Sequence, residues 1–542
     1  MRLGTRAAWL AVFTAAFAVL AALVFWGTWS PDFAPVMPDC AITHPRDYVA
    51  RWFADFLSNG KFSPVDLLKL IDPYFMQEFQ YVLSLYCAAL GMALLCRSRG
   101  LSRLASYGAG LLLAFSGYWI TLFSAGHLGW FQWMSCGVFA FALADRAAGE
   151  GRMWQWAALG AAVAWASFNQ QDMWLLFTAF TGAYLVYRLV CERKFPWKGM
   201  LLSAAVFFAI GLPNFVETLT NTIGGRKAQM ESFEKATANN PGESADKRWE
   251  FVTNWSMPPE DTLEFFMPRV HGDTSCPFVQ SIVRQSGRDV KPYVGRLGRP
   301  MGAAAGNYRQ HSLYVGRVTC LLALVALLWP VVVRLRGGSA ASLPRGAGFF
   351  AVAGLVFYAL SLGRFFEPAY RVVFALPFGD LIRCPVKWHH LTEFCIVVLA
   401  AYGLEALLSI KWFGTRVGTA VLIAVVSLGA IDLAVEAHRY CAPVNVSAAR
   451  RGGELAELTV IGRNDFSNPQ VAEMVRRGKI VSVASYLGNP AAYVVEVLRP
   501  HDQSKTRGTS PMAVVFGILS ILATVATTIC CVCAFLRRRS MV

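Results

Sequence analysis

The chain has 542 residues, of which 55% are hydrophobic and only 15% are charged, and its mean hydropathy is +0.43. A soluble protein of this length would divide into several domains with far more charge, so the composition excludes that class. Apolar runs of about 20 residues, long enough to span a bilayer, recur along the chain. The composition therefore predicts an all-α polytopic membrane protein.

The net charge of +16 would suit a nucleic-acid-binding protein, but its distribution argues against that partner. The basic residues gather in short loops between apolar runs, as the positive-inside rule expects of cytoplasmic loops. The sequence contains no RNA-binding or helix-turn-helix motif. We therefore expect a lipid bilayer, and no nucleic acid, as the surroundings of this chain.

The first apolar run, from Ala8 to about Trp26, follows Arg2 and Arg6. It is longer than the apolar region of a signal peptide and ends in bulky aromatic residues, which predicts an uncleaved first transmembrane helix. The loop that follows, residues 29–72, is unusually rich in acids for this chain. These acids are Asp32, Asp39, Asp47, Asp55, Asp66 and Asp72.

The remaining apolar runs predict about eleven further spans. Helices two to seven begin near Tyr74 and end near residue 219, and short polar turns separate them on the side opposite the basic loops. A long polar insert, residues 220–312, precedes helix eight. Helices nine, ten and eleven run near residues 347–362, 391–410 and 417–435, and the last helix runs near 511–536.

Every short basic loop then falls on one side, which predicts about twelve transmembrane helices with both termini in the cytoplasm. The predicted bundle covers residues 1–435, with outside segments at 29–72 and 220–312. Residues 436–510 form a small extracytoplasmic segment, and residues 511–542 form the last helix and a basic cytoplasmic tail. Within 436–510, Lys479–Ser485 and Ala492–Leu498 are rich in β-branched residues and predict a small α/β element with a β-hairpin.

The sequence has no nucleotide-binding loop, no HExxH, no GxSxG and no dinucleotide fingerprint, which lowers the odds of an ATP-driven pump or a metalloprotease. The 13 cysteines form no zinc pattern. Cys40, Cys276 and Cys441 lie in predicted outside segments, where a disulfide is compatible with the sequence but its pairing is open.

Two polar turns carry the first candidate site residues. His127 closes the turn SAGH, where a histidine at a helix end is more often a structural hydrogen-bonding group than a ligand. Asp172 closes the turn NQQD, where it is equally suited to capping a helix and to a functional role near the membrane.

Cations cluster further along the predicted outer side. Arginines there suit a phosphate group, although contacts with lipid headgroups are at least as common. In the segment 364–390, the anionic partners could equally be Glu367 and Asp380 or a ligand phosphate. The candidates for binding a donor phosphate or substrate are His127, Asp172, Arg269, Arg309, His311, Arg371, Arg383, Lys387 and His390.

Several motifs, in the same order along the chain, resemble those of the YfhO-type bacterial membrane proteins, a family of the GT-C class of glycosyltransferase-like folds. They are Asp72-Pro73-Tyr74 with Gln77 and Gln80, the SAGH and NQQD turns, and PPEDTLEFFMP before Tyr314-Val315-Gly316. The most specific is Leu381 to Leu404, LIRCPVKWHHLTEFCIVVLAAYGL.

The resemblance implies transfer of a sugar from a polyprenyl-phosphate-linked donor to a cell-envelope glycan, lipid or protein at the outer face of the plasma membrane. It also implies an essential acid in the first outside loop, which corresponds here to Asp32, Asp39 or Asp47. A divalent cation could assist, although no ligand cluster requires one, and the cofactor is left open. The alternatives are a transporter or flippase of lipid-linked saccharides and a non-catalytic envelope-biogenesis protein of the same fold.

Overall fold

The computed structural model describes most of the apolar part of the chain and several shorter pieces of the polar segments. The described residues are 6–27, 33–35, 53, 56–58, 60, 73–122, 128–168, 171–217, 224, 228, 231, 241–272, 312–335, 346–376, 379, 382–440, 443–445, 455–462, 480–485, 492–499 and 511–539.

The first half of the chain contains one short strand and nine α-helices whose bounds lie within these residues. They are α1 (Arg6–Val24), β1 (Phe33–Pro35), α2 (Pro73–Ser98), α3 (Arg103–Ala114), α4 (Gly117–Thr121), α5 (Leu128–Glu150), α6 (Met153–Ala166), α7 (Gln171–Glu192), α8 (Trp197–Glu217) and α9 (Pro241–Val252). A 3-10 turn, Pro259–Phe265, follows α9.

The second half contains the remaining helices and strands of the described residues. They are α10 (Arg317–Leu335), α11 (Ala347–Ser361), α12 (Glu367–Ala375), a 3-10 turn (Pro385–Trp388), α13 (His389–Leu408), α14 (Arg416–His438), β2 (Pro443–Asn445), β3 (Leu455–Gly462), β4 (Ile480–Ser485), β5 (Ala492–Arg499) and α15 (Pro511–Arg539). Because α14 continues to His438, the start of the predicted segment 436–510 is helical.

Eight helices of the described residues are long and apolar enough to cross a membrane, or nine if α11 and α12, bent by 112°, count as one span. The chain is therefore a helical, multi-pass membrane protein. A helix also lies at each of the other predicted positions. α3 and α6 have only 12 and 14 residues, fewer than a straight span requires.

The bundle core depends on glycines that let helices approach closely. A methyl group at Gly403 in α13 would lie 1.8 Å from the carbonyl oxygen of Leu322 in α10. A methyl group at Gly160 in α6 would lie 2.2 Å from the carbonyl oxygen of Ser203 in α8. Since lipid gives apolar helices no hydrophobic reason to associate, such backbone contact supplies the van der Waals attraction between them.

One end of the bundle carries the short basic loops, and we call it the basic-loop end. A buried acid, Asp145 at 1% exposure, joins three helices there. Its carboxylate accepts hydrogen bonds from Tyr184 Oη at 2.6 Å, Arg188 Nε at 2.7 Å and Arg99 Nη1 at 3.3 Å. The charge is thus fully paired, as burial of an ion requires, and α2, α5 and α7 are fixed to one another.

The opposite end, which we call the polar-loop end, is covered by residues 241–272, the cap. Met257 N donates to Ser361 O at 3.0 Å, which attaches the cap to the end of α11. Val315 N donates to Phe265 O at 3.1 Å, which attaches it to the segment before α10. These backbone bonds hold the cap over the start of α13.

Two small antiparallel sheets also occur. β1 pairs with β2, with Phe33 opposite Asn445, so the strand after Asp32 lies beside the strand after α14. β4 and β5 are the two β-branched segments singled out in the sequence, and they pair with each other. β3, which the sequence pattern does not predict, pairs with the other edge of β5 and gives the order β3-β5-β4.

Candidate functional site

The site begins at a break in the third predicted span. α3 ends at Ala114 and α4 begins at Gly117, because the Gly117 N–H donates to Tyr314 O at 2.8 Å instead of continuing the helix. A methyl group at Gly117 would lie 2.7 Å from that same oxygen, so the approach requires glycine. The break leaves polar backbone inside the bundle, where it needs partners from neighbouring helices.

A buried acid from α13 supplies one of these partners. Glu393 is 0% exposed, and its Oε1 accepts hydrogen bonds from the Ser116 hydroxyl and, at 3.4 Å, from the Tyr118 N–H. Its Oε2 accepts no hydrogen bond from any residue that the structure describes. An ionisable group at this depth is costly, which makes Glu393 a candidate functional residue.

Two histidines at the start of α13 lie next to Glu393, and both are fully buried. The ring of His390 lies 4.0 Å from that of Tyr118 and 5.0 Å from that of Trp130, measured between centroids. His389 lies 4.5 Å from the ring of Phe265 in the cap. Aromatic faces therefore enclose both imidazoles and fix their orientation.

An ion pair forms the accessible edge of this group. The Lys387 ammonium contacts the Asp172 carboxylate, with side-chain exposures of 12% and 26%. The same ammonium lies 5.6 Å from the ring centroid of Trp130, within the range of a cation–π contact. We call Asp172, Lys387, His389, His390 and Glu393 the polar-end cluster.

The cluster brings together three of the residues that the sequence singled out: Asp172, Lys387 and His390. Asp172 and Lys387 are 215 positions apart in the chain. Asp172 also lies in the first turn of α7 and accepts from Met173 N at 2.9 Å, so its helix-start and ion-pair roles coexist.

Three other predicted cations lie at the same end but make different contacts. Arg269 pairs with Glu436 near the end of α14 at 3.1 Å. Arg371 pairs with Glu367 at 3.1 Å, which is one of the partners that the sequence suggested for these cations. Arg383 lies 5.5 Å from the ring centroid of Trp255. Protein groups thus contact all three arginines.

Residues 312–316, directly before α10, close the other side of the break. The Tyr314 hydroxyl donates to the Asp432 carboxylate, and Arg317 Nη1 contacts the same acid at 3.2 Å. Burial is the largest cause that raises the pKa of Tyr314 well above its ordinary value, and the hydrogen bond to Asp432 is the next largest. The hydroxyl therefore keeps its proton.

Several predicted site residues lie outside the described residues. They are Asp32, Asp39, Asp47, His127, Arg309 and His311, together with the cysteines Cys40, Cys276 and Cys441. Of the first outside loop, the structure places β1 at the polar-loop end through its pairing with β2.

Sequence reasoning missed Glu393 and the break at Ser116. A single acid inside an otherwise apolar helix is a sequence signal that indicates Glu393 as a functional candidate. The break has no comparable signal, because Phe115 and Ser116 are ordinary residues and the competing hydrogen bond comes from Tyr314, far along the chain.

A Glu393→Leu variant should unfold about 2 kcal/mol more easily than the wild type, because two buried donors lose their acceptor. Glu393→Gln keeps the acceptor oxygen and the volume, so its unfolding free energy should lie much closer to the wild-type value. Thermal unfolding of both variants in the same detergent checks the difference. A Leu variant as stable as the Gln variant would show that Glu393 is not needed to satisfy the break.

Within the described part of the chain, no group of three His, Cys, Asp or Glu side chains is arranged to hold a metal ion. Chemically, the cluster offers an ammonium and imidazole rings that suit an anion, with carboxylates beside them. No protein-family model and no curated protein matches the chain.

Proposed function

We propose that this chain is a membrane glycosyltransferase with a GT-C-like fold. It transfers a sugar from a polyprenyl-phosphate-linked donor to a cell-envelope glycan, lipid or protein at the outer face of a bacterial plasma membrane. The observation that carries the proposal is the ion pair of Lys387 with Asp172 beside His390, at the end of the bundle where the cap and β1 lie.

The chemistry divides between this cluster and the first outside loop. An acceptor hydroxyl needs a base, and Asp32, Asp39 or Asp47 supplies the carboxylate. The departing phosphate carries negative charge, which Lys387 neutralises as it leaves. Since Asp172 holds Lys387 in the free protein, the donor phosphate binds by competing with this acid for the ammonium.

The full topology belongs to the same proposal: about twelve transmembrane helices, both termini in the cytoplasm, and an extracytoplasmic α/β element containing β3, β4 and β5. The spans beyond the nine that meet the length and apolarity criteria are α3 with α4, α5, and α6. Side chains of α3 and α4 are mostly buried. Protein neighbours rather than lipid surround such helices, which permits them to be short, broken or more polar.

A second function is favoured by one observation, the two interrupted helices. α3 and α4 are separated at Ser116, and α11 and α12 bend by 112°. Transporters commonly form their binding sites from such discontinuous helices. A transporter or flippase of lipid-linked saccharides predicts movement of the labelled lipid across reconstituted vesicles without transfer of its sugar to an acceptor.

Single Asp→Asn substitutions at positions 32, 39 and 47 test the glycosyltransferase mechanism. At least one variant should lose sugar transfer about 100-fold or more, the contribution typical of a general base. The measurement is transfer of radiolabelled sugar from a polyprenyl-phosphate donor in membranes that contain equal amounts of each folded protein.

Asp66→Asn is the matched control, since this acid lies later in the same loop and is not one of the three to which the resemblance assigns the essential acid. It should retain full transfer activity. If all three early variants transfer sugar as fast as the wild type, the proposed mechanism is wrong. Movement of the intact donor lipid by every variant would instead support the transporter.

A further inference from the structure

The basic-loop end contains a cavity of about 480 Å³ between α2, α3, α5 and α7. It lies on the opposite side of the bundle from the polar-end cluster. Its lining residues are Leu94, Arg97, Ser98, Arg103, Tyr107, Asp145, Arg146, Gly149, Glu150 and Arg188. The cavity thus has a composition quite unlike the apolar bundle around it.

Arginines dominate the charge of this cavity. Four arginines face two carboxylates, and each carboxylate is already engaged by arginine. Asp145 accepts from Arg188 at 2.7 Å, and Glu150 pairs with Arg146 at 3.3 Å. Further arginines outside the lining, Arg99 and Arg152, pair with the same acids. The cavity therefore presents a net positive surface to any molecule that enters it.

Two of the lining arginines lie at adjoining helix ends, Arg97 in the last turn of α2 and Arg103 in the first turn of α3, and we call this edge of the cavity its mouth. Arg97 is exposed and uses one guanidinium nitrogen to donate to the Leu101 carbonyl, which leaves most of its five N–H donors for other partners. Arg103 is the first residue of α3, where the helix dipole also favours an anion.

The cavity also adjoins the lipid-facing surface. Leu94 in α2 is 37% exposed on the side of the bundle. Tyr107 in α3 stacks on Trp9 in α1, with ring centroids 6.3 Å apart and an angle of 6° between the planes. An apolar edge beside an arginine mouth matches a molecule with an acyl chain and a charged headgroup.

We infer that this cavity binds a phosphate group, with Arg97 and Arg103 as its principal donors. Guanidinium pairs phosphate oxygens with two parallel hydrogen bonds, which explains why arginine rather than lysine lines the mouth. The phosphate belongs to an anionic phospholipid headgroup or to a soluble phosphate ester. This site is separate from the proposed sugar-transfer site, so the inference does not depend on the proposed function.

The test is ligand-dependent stabilisation of the purified full-length chain in detergent. Phosphatidylglycerol, phosphatidylcholine and inorganic phosphate are added separately, and the apparent dissociation constant is read from the shift of the unfolding midpoint. The double variant Arg97→Gln and Arg103→Gln should bind the active probe at least about 100-fold more weakly, since each charge-assisted contact contributes about tenfold or more.

Arg193→Gln is the matched control, because this arginine lies between α7 and α8 at the same end but does not line the cavity. It should bind as the wild type does. Stabilisation by phosphatidylglycerol alone supports the lipid source, and stabilisation by inorganic phosphate supports the soluble source, provided that the double variant loses it. No stabilisation by phosphatidylglycerol or by inorganic phosphate overturns the inference. Equal stabilisation of the wild type and the double variant overturns it as well.

Discussion

Replacing Lys387 with Met is expected to destabilise the protein by about 3 kcal/mol and to abolish the sugar transfer proposed for this chain. The Asp172 carboxylate, whose side chain is 26% exposed, then loses its cation, and removing one side of a mostly buried ion pair is strongly unfavourable. Thermal unfolding in detergent measures the loss of stability, and transfer of labelled sugar in membranes measures the loss of activity.

The double variant Asp172→Leu and Lys387→Met separates these two effects. Removing both charges should restore most of the stability, because neither ion then remains unpaired, whereas the proposed reaction still lacks the cation that would neutralise its departing phosphate. The double variant should therefore fold and remain inactive. If it transfers sugar at the wild-type rate, Lys387 has no part in the reaction.

Lys194→Met is the matched stability control. Lys194 lies 3.9 Å from Glu192 in a pair whose side chains are 51% and 32% exposed. Since water screens such a pair, the variant should change the unfolding free energy by no more than about 1 kcal/mol. An equal loss of stability in this control would mean that the effect of Lys387→Met does not arise from burial.

A Gly403→Val variant should prevent correct assembly of the bundle or destabilise it by more than about 3 kcal/mol. The first side-chain carbon would lie 1.8 Å from Leu322 O, so α13 and α10 would have to separate along their contact. The backbone cannot move aside as a flexible side chain does. The loss of unfolding free energy should therefore exceed the usual cost of overpacking a core. Size-exclusion profiles and thermal unfolding in detergent check the result.

Gly182 provides the matched control in α7. A methyl group there would meet no atom within 4 Å, and the position is helical. Gly182→Ala should therefore leave stability unchanged or raise it by up to about 1 kcal/mol, through the higher helix propensity of alanine. If the Gly403→Val variant unfolds at the same temperature as the Gly182→Ala variant, α10 and α13 are not in close contact.

The sequence by itself determined the membrane character and the positions of the helices. Apolar runs such as 317–335 and 416–438 have the length and composition of spans, and these local properties need no knowledge of neighbours. The preference for acids at the start of a helix is also a local property of the sequence. Asp172 was recognisable at the start of a helix because an acid is favoured in the first turn.

Only the tertiary structure decided how the polar groups combine. Lys387 meets Asp172 across 215 positions, and Glu393 serves a break whose competing hydrogen bond comes from Tyr314. The cavity at the basic-loop end likewise needs four helices in register before its arginines converge. The physical reason is the same in each case. Hydropathy is a property of one segment of the chain, so it can be read from that segment. The role of a charged or hydrogen-bonding group depends on its partner, and the packing of the folded chain determines which partner it meets.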